Sequence, residues 1–158
     1  MKNIEDKGPV LYAGNRSPFA TGMSVYHDSD VESPQRQSPR VVVRVQPKPL
    51  SVPILAVLDT AAPWCILKPL IGDMIMEDLA EIPGLVRLSS RLGTCEGRLF
   101  RGSLTLLAQE GESLDLDVTF FLSPHWRGGN FLGYEGALER ARFAVDPRAN
   151  LFYFGATG

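Results

Sequence analysis

The chain has 158 residues, enough for one domain, and an apolar fraction of 44% that can fill a core. Its net charge is −2, with lysines and arginines scattered among acids, which argues against nucleic acid as a main partner because a polyanion binder carries a basic face. No apolar stretch reaches the roughly 20 residues of a membrane helix, and 2 cysteines do not make a disulfide framework.

Residues 1–38 read as a polar, flexible tail. Ser, Pro, Gln and Gly dominate there, and such a segment buries too little apolar area to offset its ordering entropy. Val10, Leu11, Tyr12 and Phe19 are the exceptions that could dock. The first residues lack the apolar centre of a secretory signal, which together with the cysteine count suggests a reducing cytoplasm.

From residue 39 the pattern is that of a folded domain running to residue 158. Val41 to Val45 is β-branched and predicts a strand bounded by Pro47 and Pro49. Ser51 to Leu58 predicts a second strand whose apolar end is buried on both faces. Asp59 to Pro63 is a turn, and a short strand follows through Leu67. Pro69 to Leu79 predicts a short helix with proline in its first turn. Leu85 to Leu107 reads as a long hairpin with its tip at Gly93-Thr94-Cys95-Glu96-Gly97. Leu104–Leu107 and Leu114–Leu122 pair around Glu110-Gly111-Glu112. In the second of these arms Leu114, Leu116 and Val118 alternate with Asp115, Asp117 and Thr119, the period of a half-buried strand. Phe131-Leu132-Gly133 is an apolar run after a glycine-rich loop. Glu135 to Arg142 predicts a helix, and Phe143–Val145 and Leu151–Phe154 predict two final strands. Many short strands with one or two small helices describe a closed, mostly antiparallel β fold.

Asp59 is the residue that stands out. It lies between Ile54-Leu55-Ala56-Val57-Leu58 and a largely apolar stretch through Leu67, and a buried carboxylate is costly unless it is paired, neutralised or used for chemistry. None of the other 17 acids among the 18 has this setting. Two roles are open on the residues alone: a catalytic acid, or a structural acid that caps the turn by accepting the amides of Ala61 or Ala62.

Val57-Leu58-Asp59-Thr60-Ala61-Ala62, followed by Cys65-Ile66-Leu67, resembles the active-site motif of retropepsin-like aspartic proteases. That motif is two apolar residues, Asp-Thr/Ser-Gly-Ala/Ser, then apolar residues. The family's second marker, an aliphatic pair and a glycine before a short helix and a last strand, resembles Phe131-Leu132-Gly133. The hairpin at Leu85–Leu107 lies where the family places a flap. The resemblance spans about residues 40–154. It implies a closed acid-protease barrel with a flap hairpin, and an endopeptidase that needs neither metal nor cofactor. It implies that Thr60 locks two active-site turns together and that Gly133 passes close behind the catalytic turn. It also implies that Gly93, Thr94, Cys95, Glu96 and Gly97 close over a substrate held as an extended strand. Two departures stand out: Ala61 replaces the usual glycine, and Tyr134 follows Gly133 where many relatives carry arginine.

Hydrolysis by carboxylates needs two that share one proton, one activating water and the other donating to the scissile carbonyl. The chain offers one acid of this character. Its partner is then Asp59 of a second copy, and a homodimer with the site on its two-fold axis follows. The rival expectation is a catalytically silent relative that dimerises or binds peptides, motivated by Ala61. Other chemistry is disfavoured. His27 and His125 are too few and too separated for a zinc site. Cys65 lies in an apolar run without a nearby cation to activate its thiol. Gly128-Gly129 lacks the lysine and hydroxyl residue of a phosphate loop.

Overall fold

The computed structural model describes residues 8–28 and 40–158. The strands are β1 (Leu11–Tyr12), β2 (Pro18–Ala20), β3 (Gly22–Val25), β4 (Val42–Pro47), β5 (Ile54–Leu58), β6 (Cys65–Ile66), β7 (Ala80–Ser90), β8 (Gly93–Leu106), β9 (Glu110–Gly111), β10 (Leu114–Leu122), β11 (Phe131–Leu132), β12 (Ala141–Asp146) and β13 (Leu151–Ala156). Among the described residues there is one α-helix, α1, which covers Pro69–Ile75. The fold is mostly β, and among the described residues no helix is long and apolar enough to cross a membrane.

The main sheet closes on itself. Its strands run in the order β10-β6-β11-β5-β4-β8, and β8 pairs back onto β10, which makes a ring with β7 attached outside β8. A second sheet has the order β12-β13-β3-β9, and β1 and β2 form a small ribbon. Phe120, Phe152, Phe154, Leu104, Leu106 and Leu132 are fully buried in the main core, joined by Ile75 from α1. Each such side chain contributes about 1.5–3 kcal/mol through burial. A satellite cluster gathers Ala62, Ile66, Leu88, Phe121 and Trp126, with Trp64 stacked on Phe121 at 6.0 Å between ring centroids.

Several expectations change. Residues 8–28 carry three strands rather than a polar tail: β3 pairs with β13, Tyr153 facing Met23 and Phe152 facing Ser24. The physical reason is close packing by small residues. A Cβ on Gly22 would stand 2.1 Å from the Glu112 carbonyl oxygen and 2.5 Å from the Phe154 ring. Residues 1–7 and 29–39, also part of the expected tail, lie outside the described residues.

The hairpin is longer than expected, and it reverses at Arg91-Leu92, because Ser90 pairs with Gly93. Gly93–Gly97 is therefore strand, not tip. The Ser90 hydroxyl builds the turn by accepting the Leu92 amide at 3.1 Å. Gly97 is small for packing: a Cβ there would meet the Phe121 ring at 2.6 Å and the Leu122 carbonyl at 2.7 Å. The helix expected at Glu135–Arg142 reduces to one 3-10 turn, Leu138–Arg140. Gly136, at φ 70°, breaks the helical path before it. Likewise α1 stops at Ile75, and Met76–Asp78 is a 3-10 turn.

Candidate active site

β5 and β6 do not pair with each other. β11 enters between them, parallel to β5 (Phe131 facing Val57, Leu132 facing Leu58) and antiparallel to β6 (Phe131 facing Ile66). The connection from Asp59 to Trp64 must span a third strand, so its shape is set by three segments at once. The Asp59 amide donates to the Leu132 carbonyl at 3.0 Å, and the Tyr134 amide donates to the Ala62 carbonyl at 2.9 Å. Between those two bonds lies Gly133. A Cβ on it would stand 2.1 Å from the Trp64 carbonyl oxygen and 2.9 Å from that of Ala62, closer than side-chain carbons come to backbone.

The Asp59 side chain is half-buried, not enclosed in an apolar interior as its neighbours in the sequence implied. β5 itself is half-buried along most of its length, with Ala56 its buried residue. Asp59 Oδ1 accepts the Ala61 amide at 2.9 Å and the Ala62 amide at 3.3 Å. These bonds are those of a turn-capping acid. They also fix the carboxylate's orientation and leave Oδ2 without a protein donor among the described residues. Thr60 and Ala61 are exposed, and so is Tyr134, at 47%. Asp59, Thr60, Ala61 and Gly133 are therefore brought to one place by backbone bonds, with an open surface around them.

Gly93–Gly97 reaches this region only in part. Cys95 packs at the edge of the satellite cluster that contains Ala62 and Trp64. Its thiol donates to the Ser123 hydroxyl at 3.1 Å, and that hydroxyl donates to the Glu96 carbonyl at 2.6 Å. The Glu96 carboxylate pairs with Arg87 at 3.3 Å across the hairpin, and Gly93 and Thr94 are exposed.

Asn130 is the positioning residue that sequence reasoning missed. Its carbonyl oxygen accepts the Val57 amide at 2.9 Å, its Oδ1 accepts the Lys68 amide at 2.8 Å, and its Nδ2 donates to the Leu55 carbonyl at 3.2 Å. One side chain thus ties β5 to the segment after β6, on either side of the turn. The available signal was an amide residue just before the Phe131-Leu132 run. Cys65 is fully enclosed, and burial pushes its thiol up to about 12, against a smaller opposing pull from a backbone hydrogen bond with Gly133. It is a core residue rather than a nucleophile.

Neither a scan against models of known protein families nor a search of curated proteins finds a match to this chain.

Proposed function

We propose that the chain is a retropepsin-like aspartic endopeptidase that works as a homodimer, with Asp59 of each copy forming the dyad. The observation that carries this reading is the Asp59–Ala62 turn, clamped from behind by Gly133 and opening Asp59, Thr60 and Ala61 to one accessible surface. A second copy meeting that surface would bring two carboxylates together, where they share one proton. One then activates water and the other protonates the carbonyl. The substrate would be an extended peptide lying between the turns and the β7–β8 hairpin, held through main-chain hydrogen bonds.

The test is cleavage of a denatured protein at pH 5 by wild type and by Asp59→Asn, with the association state followed by sedimentation. Loss of a dyad carboxylate lowers the rate by at least about 100-fold. Equal cleavage by both proteins, or a monomer with and without substrate, refutes the reading.

One observation favours the alternative, a silent module that dimerises or binds peptides. Asp59 Oδ1 is engaged in holding its own turn, and Ala61 carries a methyl where the motif has glycine. Binding of extended peptides without cleavage, unaffected by Asp59→Asn, would establish it.

A further inference from the structure

The β7–β8 hairpin has a root paired into the ring and an arm whose two strands pair only with each other. From Arg98 to Leu106, β8 pairs with β10 as well as other strands, the last partner being Leu122 opposite Arg98. From Gly93 to Gly97 it pairs with β7 alone. At the boundary β7 is bulged between Ile82 and Leu85, and Gly84 there has φ 110°. A two-stranded arm therefore leaves the ring at a break in its own ladder.

A cavity of about 560 Å³ sits at this root, between α1, the hairpin and the segment after β10. That volume lies within the roughly 300–1,000 Å³ typical of small-molecule sites. Its apolar lining is Leu67, Leu79, Phe100 and Leu122, with Met76 and the exposed Leu85 also contributing. A second hollow, lined by Pro83 and Gly84, shares Glu81, Leu85 and Arg98 with the first. The charged lining is three carboxylates, Asp73, Glu81 and Glu96, against the guanidinium of Arg98, with the imidazole of His125 beside them. Glu81 is paired with Arg98 at 3.0 Å and Glu96 with Arg87 at 3.3 Å. Asp73, exposed on α1, has no ion pair among the described residues.

We propose that this cavity binds a small amphiphilic amine, an apolar chain carrying one ammonium group. The chain lies on the leucine and phenylalanine walls and removes Leu85 from water. The ammonium takes Asp73, the carboxylate that lacks a cation of its own, while an anionic head would meet Asp73 and find Arg98 already held by Glu81. Apolar burial supplies the attraction and the charge sets the selectivity. The site is independent of the proteolytic reading, and its test does not read cleavage.

The experiment titrates the full chain with n-octylamine, n-octanoate and n-octanol, followed by calorimetry and by amide chemical shifts. Octylamine is expected to saturate with shifts centred on Gly72, Asp73, Leu85 and Arg98, at a Kd about tenfold or more below that of octanoate. Asp73→Asn should erase that preference. Leu85→Ser should weaken octylamine and octanol alike. Both positions are exposed, so both variants should fold. Equal binding of octanoate, an unchanged preference in Asp73→Asn, shifts centred elsewhere or no saturation at all would each overturn the proposal.

Discussion

Replacing Gly133 by alanine tests the clamp behind the Asp59 turn. Gly133 does not adopt a left-handed backbone, so the cost is collision rather than conformation. The added Cβ meets the Trp64 carbonyl oxygen at 2.1 Å, its carbon at 2.5 Å and the Ala62 carbonyl oxygen at 2.9 Å. All three atoms are backbone, and both residues lie between strands that β11 already ties together, so no flexible side chain can swing aside. Overpacking of this kind costs about 3 kcal/mol, the upper end of its usual range. That is about 150-fold in the folding equilibrium, since 1.4 kcal/mol is tenfold. At about 2–4 °C per kcal/mol for a chain of this size, Tm falls by about 6–12 °C. Urea unfolding and thermal melts read the effect directly. Gly129→Ala is the control, because a Cβ there meets nothing within 4 Å, and it should stay within about 0.5 kcal/mol of wild type. A Gly133→Ala loss no larger than that of Gly129→Ala would refute the clamp.

Three further outcomes follow from single residues. Asn130→Ala removes the side-chain partners of the Lys68 amide and the Leu55 carbonyl. Stranding half-buried backbone groups costs about 1–3 kcal/mol, so the urea midpoint should fall, and an unchanged midpoint would dissociate Asn130 from the turn. The Thr105 hydroxyl and Lys48, both bonded to Asp115, hold its carboxyl below the usual range. Its stabilisation is present above the unfolded-state pKa of about 3.9 and is lost as pH drops through the folded value. The midpoint difference between wild type and Asp115→Asn should accordingly exist at pH 7 and close as the pH falls below the unfolded-state value and through the lower folded one. It should be small, since the group is largely exposed and solvent screens it. Burial raises Cys65 from its ordinary 9.0 to about 12. The contribution of the neutral thiol is intact below pH 9.0 and is lost as pH climbs from there toward about 12. In the native protein at pH 8 an alkylating reagent should spare Cys65 and modify it only in urea, which mass spectrometry resolves by peptide.

What could be read from the sequence was what depends on neighbours in the chain. The alternation in Leu114–Leu122 survives as buried Leu116 and Val118 between exposed Asp115 and Asp117. The Phe131-Leu132 run, legible only as apolar, is a short strand. What depends on distant partners was not legible. Gly22–Val25 is only a four-residue segment, and its order comes from pairing with β13, more than 120 positions away. Glycines 93 to 97 look like a turn, but Gly97 is there for Phe121, a residue on another strand. The apolar flanks of Asp59 implied an enclosed acid. Sequence pattern does not say how much of a strand its neighbours cover, and β5 is covered in part. Asn130 looked like a loop residue because its three bonds go to β5 and to Lys68, none of them near in sequence.

Ala61 separates the two functional readings, and its geometry makes the separation clean. The non-glycine residues with positive φ among the described residues are Arg16 and Asn150, so Ala61 holds an ordinary backbone and its turn does not require glycine. Its contribution to the turn is its amide, which reaches Asp59 Oδ1 at 2.9 Å and which glycine would keep. The methyl is exposed, so removing it opens no cavity in the core. Ala61→Gly should therefore lower stability by only about 0.4–1 kcal/mol, through the freer unfolded chain. Its effect on activity depends on what the methyl faces. If a substrate backbone lies over the turn, the methyl crowds it. The glycine variant should then raise kcat/KM, whereas Asp59→Asn in the same background should abolish the gain. A protein that acquires no cleavage as Ala61→Gly, while keeping its fold and its association state, has its silence written elsewhere than in that methyl. The binding-module reading would then outweigh the enzyme.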